Sequence, residues 1–204
     1  MTPLREQIRH TIALNQINPM RGRIIVGLDP GSVIMGFGII QEAETGNTVK
    51  LIEHGVLQLK KYKGHMLRMR HIYLHMIALL QKHAPDEVAV ESVFYGTNVQ
   101  SMLKLGRAQG VAIAAALACE IPVTEYAPRK VKQAVTGNGN ASKEQVAMMV
   151  GHLLHIATPF AFLDASDALA IALCHSQQRL PITAKPYHLA QWLAAHPNGK
   201  VSSC

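Results

Sequence analysis

The stretch RIIVGLDPGSVIMGFGII, from Arg23 to Ile40, holds two apolar runs separated by a turn. The first run, Ile24–Leu28, contains three β-branched residues and ends at Asp-Pro-Gly, which is typical of a buried strand closed by a turn. The second run, over about 36–41, predicts a neighbouring strand. An acid at the end of a buried strand is either part of the turn or a functional group, and Asp29 is therefore the first candidate site residue.

The elements that follow predict the fold class. A third strand over about 49–59 completes an antiparallel meander. Beyond it we predict a helix over 64–83, a strand over 86–93, a helix over 98–120, a strand over 121–126, helices near 128–135 and 142–155, and a last helix from near 165 to about 178. Three strands followed by alternating helices and strands predict an α/β domain with a mixed sheet of five strands flanked by helices.

The length of 204 residues indicates one domain with tails. We assign residues 1–22 to an N-terminal extension, 23–178 to the domain and 179–204 to a C-terminal tail, in which 187–195 could form a short helix. Met20 precedes the first strand closely, so translation starting there rather than at Met1 is a hypothesis that peptide mapping of the native N-terminus would test.

Composition narrows the class of protein. The net charge of +7 and the pI near 9.5 favour an anionic partner, of which nucleic acid is the commonest, over a basic protein with no such partner. The three cysteines form no CxxC motif, which argues against a zinc site or a disulfide framework and fits a reducing cytoplasm. The longest apolar stretch, 110–119, is too short for a bilayer, and no signal peptide is evident. We therefore expect a cytoplasmic, nucleoid-associated protein outside any membrane.

Four acids lie at the edges of apolar elements. Asp29 and Glu91 end predicted strands, and Asp164 and Asp167 open the last helix, where a spacing of three places them on one face. Neighbouring strand ends of such a sheet converge on one crevice. Each acid also has a plainer interpretation. Asp29 could belong only to the turn, Glu91 could be an exposed strand end, Asp164 could cap the helix, and Asp167 could complement its dipole.

Taken together, the four acids favour a metal site. Carboxylates at buried edges repel one another unless cations neutralise them, and carboxylate oxygens suit Mg²⁺ or Mn²⁺. In a basic protein such a cluster is what two-metal cleavage of a phosphodiester requires. We therefore expect two Mg²⁺ ions per site, with Mn²⁺ able to substitute.

Residues 23–176 resemble the RuvC-type Holliday junction resolvases (crossover junction endodeoxyribonucleases). The matching segments are GLDPGS, VAVESVFYGTN, MLKLGRAQGVAIAA, VTEYAPRKVKQAVTGNGNASKEQV and DASDALAIALCHS, in order and at similar spacing. The resemblance implies an RNase H-like fold and a catalytic tetrad of Asp29, Glu91, Asp164 and Asp167. The third position is sometimes histidine in this family and is Asp164 here. Whether Asp164 holds metal or acts as general base stays open.

Several basic residues are candidate DNA contacts. SKEQ, at 142–145, predicts a capping box that places Lys143 in the first turn of a helix, where it is either aimed at a phosphate or a surface lysine. Lys132 has the same two interpretations. By resemblance, Lys132 and Lys143 match active-site lysines that contact the DNA backbone. Arg129 and Lys130 are either phosphate contacts or plain surface residues.

The segment after Glu91 adds aromatic candidates. Phe94 and Tyr95 could stack on an unpaired base or cover the core, and by resemblance Phe94 matches the aromatic that stacks at the crossover. Asn98 could contact a base edge or cap the next helix.

The resemblance implies a homodimer that nicks a four-way junction symmetrically in recombination and repair, leaving 5′-phosphate and 3′-hydroxyl ends. It also implies cooperation with the RuvA–RuvB branch-migration complex and a dimer interface on the long helix. Three alternatives remain: an RNase H-like nuclease for RNA or simple duplexes, an actin-like ATPase suggested by GLDPGS, and an inactive junction-binding protein.

Overall fold

The computed structural model describes residues 22–44, 48–93 and 98–178. The predictions for the two tails, including the helix over 187–195, and those for Phe94 and Tyr95 lie outside these ranges. The elements are β1 (Arg23–Asp29), β2 (Ile34–Glu42), β3 (Val49–Gln58), α1 (His65–His83), β4 (Glu87–Glu91), α2 (Val99–Ala118), β5 (Val123–Tyr126), α3 (Pro128–Thr136), α4 (Lys143–Leu153) and α5 (Leu163–Ser176). None of the helices in the described ranges has the length and apolar character needed to cross a bilayer.

The five strands form one mixed sheet in the order β3-β2-β1-β4-β5. The first three strands pair antiparallel, whereas β1, β4 and β5 run parallel to one another. The carboxyl ends of β1 and β4 therefore lie at one edge of the sheet. The predicted α/β architecture is confirmed, because a meander followed by βα units produces this topology.

Helices cover both faces of the sheet. Side chains of β1 alternate between the faces, so that Val26 and Leu28 pack with α1 and α2, while Ile25 packs with α3, α4 and α5. All three are fully buried. Burial on both faces explains why the sequence of β1 is a continuous apolar run rather than an alternation of apolar and polar residues.

Helix α5 lies directly on the sheet. A side chain at Gly27 would place its Cβ 2.0 Å from the carbonyl oxygen of Ala168, and one at Gly36 would place it 2.0 Å from that of Asp164. Only glycine permits so close an approach of backbone to backbone. Since Gly36 pairs with Asp29 across the sheet, this contact brings the start of α5 to the end of β1.

The start of α5 corrects two details of the sequence analysis. The helix begins at Leu163, two residues before the predicted start, and its N-cap is Phe162, whose side chain makes no capping hydrogen bond. The interpretation of Asp164 as the N-cap is therefore wrong. The preceding segment contains no Ser, Thr, Asp or Asn at the cap position, so the sequence carries no local signal for this boundary.

Candidate active site

The four predicted acids come from three elements that meet at one edge of the sheet. Asp29 is the last residue of β1 and Glu91 the last residue of β4. Asp164 lies in the first turn of α5, and Asp167 lies one turn further on. All four side chains are partly exposed, as the strand-end and helix-start positions require.

The charges of these acids act on one another. Burial raises the pKa of Asp29 to about 8, with further increases from the charges of Glu91, Asp167 and Asp164, while Lys143 acts in the opposite direction. Burial also raises the pKa of Glu91, with a second contribution from Asp167. The pKa of Asp29 is therefore raised first by its burial and then by repulsion among the acids, both of which a bound cation would relieve.

One lysine enters the cluster. Lys143 Nζ lies 2.5 Å from Asp167 Oδ2. Burial lowers the pKa of Lys143, but the hydrogen bond to Asp167 and the nearby acids outweigh it, and the net shift is upward. The predicted capping box is present, because Ser142 accepts from the Gln145 amide and the Gln145 side chain accepts from the Ser142 amide. This cap fixes the first turn of α4, from which Lys143 reaches the acids.

The donor set fits a hard divalent cation. Within residues 22–44, 48–93 and 98–178, no three His, Cys, Asp or Glu side chains are placed so that they could hold one ion together. The chemistry nevertheless matches, since the four carboxylates offer only hard oxygens, and the charges of Glu91, Asp167 and Asp164 add to the effect of burial on the pKa of Asp29.

Gln109 supports Glu91 and was not recognised in the sequence. Its Nε2 donates to the carbonyl oxygen of Glu91 at 3.0 Å and to Glu125 Oε2 at 2.9 Å. The side chain is 9% exposed and lies on the alanine-rich face of α2. A polar residue within such an apolar face was the available signal, because a buried amide requires partners.

The predicted DNA contacts fall in different places. Lys132, on α3, lies close enough to Glu91 to oppose the rise in its pKa. Lys130 instead lies over the Tyr126 ring, with Nζ 5.1 Å from the ring centre. Arg129 is exposed and packs beside Gly139. Of these three cations, Lys132 is the one that the structure brings to the acids.

Asn98 caps a helix. Its Oδ1 accepts a hydrogen bond from the Ser101 amide at 3.0 Å, at the N-terminus of α2. The capping interpretation is therefore confirmed. Asn98 is also exposed, so its side chain lies at the surface.

A second polar cluster, also missed in the sequence, holds the far end of α5. His175 is 1% exposed; its Nε2 contacts Glu87, and its Nδ1 lies 2.7 Å from the Tyr126 hydroxyl. Arg23 joins this cluster through ion pairs with Glu87 at 3.2 Å and Glu42 at 2.6 Å. The cluster links α5 to β1, β2, β4 and β5. Its Arg23 and Glu87 begin β1 and β4, at the edge of the sheet opposite the four acids.

Comparisons with known proteins agree with this geometry. The family model for the crossover junction endodeoxyribonuclease RuvC matches residues 25–175. The RuvC protein of Bacteroides fragilis is 49% identical over 174 residues, covering 84% of this chain and 92% of the relative. That of Cytophaga hutchinsonii is 52% identical over 157 residues, covering 77% and 78%.

Solved structures give the same assignment. Thermus thermophilus RuvC in complex with a Holliday junction substrate is 32% identical, with a TM-score of 0.70, covering 76% of this chain and 93% of that one. The yeast mitochondrial Holliday junction resolvase Ydc2, at 15% identity and a TM-score of 0.57, shares the fold. This chain therefore belongs to the RuvC family of crossover junction endodeoxyribonucleases, the metal-dependent nucleases that resolve Holliday junctions.

Proposed function

We propose that this chain resolves four-way DNA junctions by paired symmetric nicks, with Asp29, Glu91, Asp164 and Asp167 as the catalytic acids. The observation that carries the proposal is the meeting of these acids from β1, β4 and α5 at one edge of the sheet. The Thermus relative, solved in complex with a Holliday junction substrate, supports the choice of DNA. Recombination and DNA repair are the processes that need this reaction.

The cofactor in this proposal is Mg²⁺, two ions per site, with Mn²⁺ able to substitute. Oxygens of the four acids would hold the ions, which when bound activate the attacking water and stabilise the leaving oxygen. Hydrolysis that breaks the bond between phosphorus and the 3′ oxygen gives 5′-phosphate and 3′-hydroxyl ends. Asp164, at the start of α5, serves either as a ligand or as the base that takes the proton of the water.

Lys143 and Lys132 orient the scissile phosphate in the proposed mechanism. Lys143 is 56% exposed at its side chain and already reaches Asp167, so its ammonium group lies between the acids and solvent. Lys132 contributes positive charge on the side of Glu91. Two cations beside four acids attract the anionic backbone without excluding the metal. Arg129 and Lys130 are proposed as outer phosphate contacts.

We propose that the segment between β4 and α2 recognises the bases at the junction. We propose that Phe94 stacks on a base at the opened crossover, with Tyr95 beside it, because base–aromatic stacking suits unpaired nucleotides. Asn98 caps α2 with its Oδ1 and can direct its amide nitrogen to a base edge. These residues lie within seven positions of Glu91 in the chain, which supports base recognition close to the cutting site.

A homodimer matches the two-fold symmetry of two opposed cuts. The C-terminal half of α2 supports this proposal, since Gly110, Ala114 and Leu117 form an exposed, uncharged stripe at helical spacing, with Leu117 58% exposed. A second copy of this chain would bury the stripe. Action with the RuvA–RuvB branch-migration complex is proposed from family membership.

The test is cleavage of a labelled synthetic four-way junction with Mg²⁺, beside linear duplex and an Asp29→Asn variant. We expect paired nicks that ligase can seal, in the junction alone, and a variant that binds without cutting. Binding by the wild type without cutting in Mg²⁺ or Mn²⁺ would make the chain a junction-binding module. Equal cutting of linear duplex would remove the junction specificity.

A further inference from the structure

In the part of the chain that the structure describes, positive charge is concentrated on one side of the sheet. Residues 59–84 and 98–119, which include α1 and α2, carry eight lysines and arginines and no Asp or Glu. Outside these two segments, the described residues carry six lysines and arginines against twelve Asp and Glu. A surface with so uneven a charge attracts a polyanion to one side of the molecule.

Six of these cations form a group that we call the basic ridge. It consists of Lys60, Lys61, Lys63, Arg68, Lys104 and Arg107, of which all but Arg68 are exposed. The first three lie in the loop between β3 and α1. That loop is at the same edge as the four acids, because Gln58 at the end of β3 pairs with Ile34, just beyond Asp29. The Leu59 amide donates to the Val33 carbonyl at 2.8 Å and ties the loop to this edge.

The loop is held in place before any ligand binds. Tyr62 stacks on His71 with ring centres 3.5 Å apart, and Lys61 Nζ lies 5.2 Å from the Tyr62 ring centre. Arg68 donates through Nε to the Tyr62 carbonyl at 3.1 Å and through Nη1 to the Ser32 carbonyl at 3.3 Å. A loop whose backbone is already fixed loses little conformational entropy when a ligand binds to its side chains, which favours binding.

Cations from α2 continue the ridge. The pKa of His65 is lowered, first by its partial burial and then by the charges of Arg107, Lys104 and Arg68. Residues of α1 and α2 therefore act on the same imidazole and lie side by side. No carboxylate from either helix separates them, so their mutual repulsion persists until an anion covers them.

We propose that the basic ridge binds the phosphate backbone of a junction arm, beyond the phosphate that is cut. The inference deepens the proposed function and rests on it. Phosphates spaced along a duplex suit a row of separate cations that starts at the catalytic edge and leads away from it. The contacts are with the backbone and so carry no sequence preference.

The test compares two double variants with equal charge loss. Lys60→Gln with Lys63→Gln removes two ridge cations and leaves Lys61 on Tyr62. Lys50→Gln with Lys82→Gln removes two cations outside the ridge. Both are measured for junction binding in Ca²⁺ or EDTA across a salt series, and for single-turnover nicking at saturating enzyme in Mg²⁺.

For the ridge variant we expect the slope of log affinity against log salt to become shallower by about 2, since each lost phosphate contact contributes about 0.9. Its nicking rate when saturated stays at the wild-type value, and the control keeps the wild-type slope. Shortening the junction arms weakens junction binding by the wild type more than binding by the ridge variant.

Two results would overturn the inference in distinguishable ways. If the wild type nicks the junction and both variants keep its slope and its response to arm length, the ridge does not bind DNA, and an acidic protein becomes its occupant. If the wild type neither binds nor nicks the junction, the proposed function fails and the inference fails with it.

Discussion

Asp29→Asn should stabilise the metal-free protein while abolishing cleavage. The carboxyl of Asp29 is held among Glu91, Asp164 and Asp167, with one lysine as partial compensation. Asparagine keeps the shape of the side chain and removes its charge. In the absence of divalent cations, burial and the neighbouring acids force the wild type to take up a proton on Asp29 when it folds, and the variant avoids that cost.

The size of the effect follows from the shift in pKa. The pKa of Asp29 rises from an ordinary 3.8 to about 8, so folding at pH 7 takes up a proton that the unfolded chain releases. At about 1.4 kcal/mol per pKa unit, this costs roughly 4 kcal/mol. Because the amide of asparagine is also partly buried, we expect a net gain of about 2–4 kcal/mol, or roughly 5–15 °C in Tm for a chain of this size.

The sign of the pH dependence is fixed by the same shift. Between about pH 4 and pH 8 the folded state holds a proton on Asp29 that the unfolded state has lost, so the free energy of unfolding falls as pH rises. The gap between variant and wild type therefore widens over this range. Mg²⁺ should raise the stability of the wild type, by about 2.7 kcal/mol at one hundred times its Kd, and should raise that of the variant less.

The assay is thermal unfolding by circular dichroism in EDTA at pH 5, 7 and 8, followed by titration with Mg²⁺. Glu144→Gln serves as the control, because Glu144 is an exposed carboxylate in the first turn of α4, and its pKa is lowered rather than raised. Its loss should destabilise the protein slightly. The reasoning is refuted if Asp29→Asn melts at or below the wild-type temperature at pH 7, or if the gap does not change with pH.

Three further substitutions probe the neighbouring structure. Gly36→Ala should destabilise the fold severely, since its Cβ would lie 2.0 Å from the Asp164 carbonyl oxygen. Gly106→Ala, in open space on α2, should be neutral or stabilising. Equal denaturation midpoints for the two variants would contradict this. Gln109→Leu should cost about 1–3 kcal/mol by leaving the Glu91 carbonyl without its donor, and wild-type urea denaturation would argue against that role. His175→Ala should lower Tm because the change leaves Glu87 and the Tyr126 hydroxyl without a buried partner. His152→Ala, at an exposed site, should lower Tm less. Similar Tm values for the two variants would exclude the role of His175 in linking α5 to the sheet.

Much of the fold was predictable because its signals are local. The apolar run of β1 and the capping box at Ser142 each depend on a few consecutive residues, and both are present in the structure as expected. The acids could be singled out for the same reason, since Asp29 and Glu91 interrupt runs that otherwise belong to the core. Strand ends and helix starts then bring them together as topology requires.

The remaining features depend on residues far apart in the chain. Gln109 bonds to Glu91, eighteen positions away, and His175 to Glu87, eighty-eight away. Their partners cannot be inferred from spacing, because each pairing exists only once the helices lie on the sheet. The start of α5 was misplaced for a different reason, since Phe162 gives no capping signal.

The close contact of α5 with the sheet has a consequence for how this enzyme family can change. At Gly27 and Gly36 the separation of helix and strands is set by main-chain atoms, not by the volume of interchangeable side chains. Substitutions that repack the apolar layers elsewhere leave that separation unaltered. The relative positions of Asp29 and Asp164 therefore do not depend on which apolar side chains fill the core. The catalytic site can be retained while most of the surrounding sequence is replaced.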